Sequence, residues 1–388
     1  MEEEEAQSIV LTLQRSLNEE LLMLTLYRIK DSLNNENLRN NLLVDDIFET
    51  VLDCSLVAMQ MYNHNTAIQC SSCAVLRYIL LEDGDILDTF VEERLESFIK
   101  NLKEFLSEAS VLPTMFKVLE VVARSEGHLQ CLMSHDVDKF VMDAFHSTSA
   151  DLRVIEAACD LLMELKKESS VLETLSSVNF LSGTLVPLMS SHPYSSSVVA
   201  AGVELFCLFC QNEFAERTEE EESRLSKQWC EILFNAMRKL MNHKKVQILS
   251  CRAVVELLKV CPKAHSEIGE NIINNKPQSP LHSMCVGNIL MYKTDTEVFA
   301  SACEALYWLA ADNEPICKSL MEKNAHIVVL DGIRRHFVYG PVVECGLRGL
   351  RAMIIFQQII KEKVTTVALA NTICLSDVID GHVMDNGD

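Results

Sequence analysis

The chain has 388 residues, more than one compact core usually covers, so two domains or an extended repeat array is expected. Hydrophobic residues make up 48% against only 12 glycines and 8 prolines, which excludes a disordered chain and argues against an all-β fold. The net charge of −22 argues against binding to nucleic acid, and equally against anionic membrane surfaces.

The N-terminal "MEEEEAQS" has neither the basic nor the apolar region of a signal peptide. The most apolar window, "VVAAGVELFCLFC", is about a dozen residues and contains Glu204, whereas a span needs roughly 20. A cytoplasmic protein is therefore expected, without direct membrane insertion, its 15 cysteines reduced. Next, "AQSIVLTLQRSLNEELLMLTLYRIKDSL" reads as a helical pair, making residues 1–50 an N-terminal cap.

From residue 51 to 355 one template recurs. A small anchor residue stands at Ser72, Ala158, Ala201, Ser250, Ala302 and Gly346, with a weaker copy anchored at Met115. Four residues on lie Leu76, Leu119, Leu162, Leu205, Val254, Leu306 and Leu350; seven on lie Ile79, Val122, Leu165, Leu208, Leu257, Leu309 and Met353. Offsets of 0, 4 and 7 mark one face of an α-helix, so each copy predicts a helix with a continuous buried stripe. The first four anchors are 43 residues apart, within the roughly 40–47 of armadillo and HEAT units. The expected fold is all-α: a right-handed armadillo/HEAT-type helical-repeat solenoid of about seven repeats, one domain over 1–388.

Before each anchored helix comes a second amphipathic stretch closing on a polar turn, such as "YNHNT", "STSAD" or "KTDTE". Shorter pieces, "HLQCLMSH" and "EPICKSLMEKN", supply the first helix of a three-helix unit. Two longer intervals have visible causes: an acidic insertion at 212–227, read as a solvated loop, and a second insertion at 264–281 holding two prolines. Residues 356–388 read as a partial repeat followed by a fraying tail.

The pairs Cys70/Cys73 and Cys207/Cys210 have the C-x-x-C spacing of zinc or thiol-redox centres. They occupy different slots of the template and lie three repeats apart, about 30 Å at typical helix spacings. No histidine completes either set. Cys73, Cys159, Cys251 and Cys303 all follow an anchor, where cysteine serves as a small hydrophobe, so packing is the expected role. A metal or thiol protein built on these pairs is the lesser alternative.

Phosphate-cradling glycine loops, H-E-x-x-H, G-x-S-x-G and kinase signatures are absent from the sequence, so an enzyme is not expected, nor a cofactor. His64, His146, His192 and His243 fall at the ends of middle helices, as capping residues would. The glutamates 219–222 lack the alternating spacing of a calcium loop. Stacked helices leave an extended surface suited to another protein. Armadillo proteins that hold extended peptides carry an asparagine six residues after the anchor. Here those positions are Tyr78, Val121, Glu164, Cys207, Glu256, Trp308 and Ala352, so such peptide binding is not expected. Trp308 is a candidate groove anchor, or else a partly buried core residue. Arg334, Arg335, Arg348 and Arg351 are a candidate positive patch, or else ordinary solvated side chains.

The runs "KKVQILSCRAVVELLKVCPKAHSEIGENI", "LMYKTDTEVFASACEAL" and "LMEKNAHIVVLDGI", with "VMDAFHS" and the acidic insertion before "WCEILFNAM", resemble the N-terminal armadillo region of the leucine-rich-repeat Roco kinases. The order is kept over most of the chain. The resemblance implies a scaffold that docks a Rab-type small GTPase, is recruited to membranes through that partner and regulates a kinase. Of the positions expected to touch a Rab, Lys323 keeps its lysine. Met241, Ser283 and Gly287 depart from the arginines and leucine expected. The alternative is a truncated N-terminal regulatory module of such a kinase with no independent activity.

Overall fold

A computed structural model describes residues 12, 19–33, 47–147, 151–177, 180–214, 218–261, 264, 268, 281–311 and 313–359. Among them there is no strand. The proposed C-terminal partial repeat beyond residue 359, the first half of the N-terminal pair and nearly all of the second insertion lie outside the described residues. The chain forms two compact units, residues 1–202 and 203–388.

The first unit contains α1 (Glu19–Leu33), α2 (Ile47–Met61), α3 (Thr66–Glu82), α4 (Gly84–Glu93), α5 (Leu95–Glu104) and α6 (Leu112–Arg124). It continues with α7 (Glu126–Ser134), α8 (Val137–Ser147), α9 (Leu152–Leu165), α10 (Ser169–Ser177) and a π-helical turn (Leu181–Leu185) that leads into α11 (Val186–Ser191). The helix α12 (Ser196–Phe214) gives its first residues to this unit and the rest to the second. The second unit adds α13 (Glu219–Lys239), α14 (Lys244–Val260), α15 (Leu281–Met291), α16 (Thr296–Ala310), α17 (Glu314–Glu322), α18 (Ala325–Arg335) and α19 (Gly340–Ile359).

Every predicted anchored helix is present: α3, α6, α9, α12, α14, α16 and α19. In the first unit α3, α6 and α9 pack in succession; in the second, α14, α16 and α19 do. The middle helices α13, α15 and α18 form a second row beside the latter. The anchors from Ser72 to Gly346 are all buried, as are the residues four further on. The hydroxyls of Ser72 and Ser250 are buried without a partner, so these positions hold serine for its small volume and not for a hydrogen bond. The stripe breaks once. Leu208 is exposed, and α12 buries Phe206 and Phe209 instead, with Phe206 stacked on Trp229 at 3.8 Å between ring centroids. The two aromatic rings turn the buried line one residue past the expected offset.

Asn65, Asp151 and Asp295, in the predicted polar turns, cap α3, α9 and α16 by accepting backbone N–H bonds. The acidic segment departs from expectation. Thr218 accepts from the Glu221 N–H while the Glu221 carboxylate accepts from the Thr218 N–H, a capping box that starts α13. Glu219 to Glu222 form its first turn, where the helix dipole favours negative charge, so the described part of this insertion is helix and not loop. The π turn ends two residues before Pro187, whose missing N–H cannot bond the carbonyl four residues back.

A slot three residues before the anchor went unread in the sequence. It holds Gln69, Leu112, Ile155, Val198, Gln247, Phe299 and Val343. Gln69 donates through Nε2 to the carbonyls of Met59 (2.7 Å) and Tyr62 (3.2 Å). Gln247 donates in the same way to Met237 (3.1 Å) and Leu240 (2.8 Å). Each glutamine thus ties down the frayed carbonyls at the end of its own middle helix. Gln69 Oε1 also accepts from Asn101 Nδ2 at 2.9 Å, whereas Gln247 Oε1 is buried without a partner. Gln69→Leu is therefore expected to cost about 2 kcal/mol and Gln247→Leu about 1 kcal/mol in urea unfolding, because only the first also orphans an amide. The reverse order of costs would refute this role.

Candidate partner-binding face

The face is carried by the middle helices of the second unit. From Leu281 to Tyr292 the sequence of α15 contains no charged residue. Its buried side is Leu281, His282, Cys285, Val286, Asn288 and Ile289. That leaves Gly287, Leu290 and Met291 exposed, with Ser283 half-buried beside them. A helix face that meets water without one charge is unusual, and it marks a surface suited to contact. The neighbouring α18 exposes Ile327, and Met241 is exposed just after α13. The Tyr292 hydroxyl donates to the Met241 carbonyl at 2.9 Å, fixing these turns against each other.

Lys323 ends α17. Asn324 follows in the left-handed conformation, φ 56°, turning the chain directly into α18. That turn aims the lysine across at α15, where its Nζ donates to Ser283 Oγ. Two positions named from the resemblance, Lys323 and Ser283, are thereby brought into contact, with the exposed Gly287 four residues along α15. A Cβ built on Gly287 meets nothing within 4 Å, so the helix presents open space there.

Beneath this face lies His282, fully buried. Its Nε2 is 2.9 Å from Ser319 Oγ, and Nδ1 has no partner. Desolvation, with the Lys323 charge second, pushes its pKa down to about 3, so the imidazole is neutral at pH 7.

The remaining named residues divide. Arg334 and Arg335 end α18 and are exposed, Arg334 lying 3.6 Å from Asp331. Arg348 instead lies over the Tyr307 ring at 4.7 Å. Trp308 belongs to α16, away from the middle-helix row. It is half-buried, with Lys259 Nζ 5.8 Å from its ring and its own N–H shielded without an acceptor. Glu164 and Glu256, in the slots where peptide-binding armadillo proteins carry asparagine, pair locally with Lys167 and Lys259. The sequence reading missed Leu290, Met291, Ile327 and the run Phe337, Val338 and Tyr339, all exposed. The charge-free stretch of α15 was the available signal.

Cys73, Cys159, Cys251 and Cys303 have no exposed surface, and burial raises the thiol pKa of Cys73, Cys159 and Cys303. Cys70 donates to the Ser110 carbonyl at 3.2 Å, and burial pushes Cys207 up to about 12. Among the described residues no group of three or more His, Cys, Asp or Glu could hold a metal ion. His146 Nδ1 is 2.7 Å from the Met142 carbonyl and His192 ends α11, as capping residues do; His243 instead precedes α14 without a side-chain cap. None of the described helices is long and apolar enough to cross a membrane.

A family model described as the LRRK2 ARM repeat matches residues 7–378. No curated protein matches the chain by sequence. One similar solved structure comes from work on the phosphorylation switch controlling the interaction between cadherin and beta-catenin. It has a TM-score of 0.58 at 13% identity, over 92% of this chain and 62% of the other. Another, from work on the UNC-45 chaperone that binds and folds muscle myosin, is 12% identical over 93% of this chain and 49% of the other, with a TM-score of 0.32. The chain therefore spans less than two thirds of either protein, and the first supports the fold alone.

Proposed function

The chain belongs to the LRRK2 ARM repeat family, and on that premise we propose that it is a non-catalytic scaffold whose second unit docks a Rab-type small GTPase and so regulates a Roco-type kinase. What supports the reading is the uncharged outer face of α15 with Lys323 held against Ser283 at its border. An apolar centre with one placed cation at its edge is the layout of a specific protein contact. The arginines and leucine that the resemblance expects are replaced by Met241, Ser283 and Gly287, so the contact here is more apolar and less dependent on salt.

The test is binding of the full chain to a panel of immobilised Rab GTPases loaded with GTP or GDP. Gly287→Glu places a charge in open space on the face without disturbing the core. It is expected to weaken binding about tenfold or more, as is Lys323→Glu. Absence of GTP-dependent binding to any Rab, or binding insensitive to both substitutions, overturns the assignment.

A further inference from the structure

The whole-chain charge of −22 conceals a local reversal. In the second unit, the turns joining middle to third helices meet along one edge. Tyr292 bonds the Met241 carbonyl, Lys244 pairs with Asp295 at 2.6 Å, and the His336 ring lies beside the Lys293 backbone. These contacts place the segments 238–245, 290–297 and 331–340 side by side. The first carries Arg238, Lys239, Lys244 and Lys245 with no acid; the second adds Lys293 and the third Arg334 and Arg335. The opposing carboxylates are engaged within the edge. Asp295 is held by Lys244, Glu297 by Arg252 at 3.0 Å, and Asp331 lies 3.6 Å from Arg334. Glu344 is one turn into α19, and Lys245 lies 3.7 Å from Glu204. The edge is net positive.

The same edge collects exposed apolar side chains. Among the described residues of the second unit, most of the large exposed hydrophobics lie on it: Met241, Leu290, Met291, Phe337, Val338 and Tyr339. The last three are consecutive in the turn between α18 and α19 and are 54%, 67% and 57% exposed. A turn of three such residues projects outward. A flat face would cover such a turn poorly, whereas a bilayer interface can enclose it on all sides. Arginines one turn away, a protruding aliphatic–aromatic tip and a tyrosine at its margin match the layered chemistry of a bilayer interface.

We propose that this edge is a peripheral contact site for an anionic lipid surface, with Phe337 and Val338 entering the headgroup boundary and Arg334, Arg335 and Lys293 facing the lipid charge. The edge shares Met241, Leu290 and Met291 with the docking face, but its proposed contact requires no protein partner and so does not rest on the GTPase reading. The acidic balance of the whole chain argues against anionic membranes, but charge acts over about a Debye length, so in this proposal the local edge outweighs the distant acids.

The experiment is co-sedimentation of the full chain with phosphatidylcholine vesicles, with and without phosphatidylserine, at rising salt and without any GTPase. Each basic residue near such a surface is worth about a five-fold change in partitioning. Arg334→Gln/Arg335→Gln is therefore expected to reduce binding to phosphatidylserine vesicles about 25-fold. Phe337→Ser/Val338→Ser is expected to abolish the fraction retained at high salt. All four positions are exposed, and unchanged thermal unfolding would exclude a folding defect. Equal binding to neutral vesicles, wild-type binding by both variants, or no vesicle binding at all overturns the proposal. So does concentration-dependent self-association lost with Phe337→Ser/Val338→Ser in the absence of vesicle binding, which would assign the tip to a second copy of the chain.

Discussion

Replacing Phe299 with alanine is expected to lower the stability of the second unit by about 4 kcal/mol, the range for a buried aromatic removed from a packed site. The side chain is 1% exposed and fills the slot three residues before the Ala302 anchor. Its ring occupies space left by two glycines on other helices. A Cβ at Gly332 on α18 would lie 2.0 Å from the ring, and one at Gly346 on α19 would lie 3.2 Å away. His336 closes a further side at 5.1 Å between centroids. One side chain thus joins a third helix to the middle and third helices of the following repeat. Gly332 is there for the ring, whereas Gly346 makes room first for Ile333, 2.6 Å from a Cβ built there, so the sign test falls on Gly332. Gly332→Ala should destabilise the native protein, although alanine is the better helix former by about 1 kcal/mol. In the Phe299→Ala background the same change should be stabilising, because the cavity now accepts the methyl group. Urea unfolding of the four proteins closes the cycle. Additive effects would show that the ring and Gly332 do not share one site.

The anchors were legible because a place where helix backbones approach favours small residues, and that preference survives in composition as Ser, Ala and Gly at every anchor but Met115. The thiols were legible for the same reason. The slot of Phe299 was not, since Gln, Leu, Ile, Val and Phe fill it in different repeats and leave no pattern of residue type. What they share is geometry: each meets whatever its own middle helix or the next repeat offers, carbonyls for Gln69 and Gln247, a pair of glycines for Phe299. The acidic run was misread because four successive glutamates suit a solvated loop and a helix N-terminus equally well. Thr218, through its capping box, decides the matter. On the candidate face, Lys323 could be named from resemblance alone, but not its contact with Ser283, which depends on the left-handed turn at Asn324. The basic edge was hidden by averaging, since a net charge summed over the chain says nothing of how three turns 50 residues apart in sequence come together.

Acidification from pH 7 to pH 5 is expected to remove about 2 kcal/mol from the second unit, with His282 as the principal cause. The folded state holds its imidazole neutral to about pH 3, while the unfolded chain takes up a proton near pH 6.5. The depressed folded value means that this contribution is fully present above pH 6.5 and is lost as pH falls toward 3. Burial lowers His326 and His336 as well, so they steepen the slope rather than oppose it. Asp295 works at lower pH: partial burial raises its carboxyl, but the Lys244 ammonium and two backbone N–H bonds outweigh that and hold it below the ordinary value. Its contribution is therefore lost only below about pH 4, and the window from 7 to 5 isolates the histidines. His282→Gln keeps a polar group that can donate to or accept from Ser319 and cannot titrate, so it should flatten most of the slope in urea unfolding followed against pH. A wild-type midpoint unchanged between pH 7 and 5, or a His282→Gln variant with the full slope, would refute the assignment.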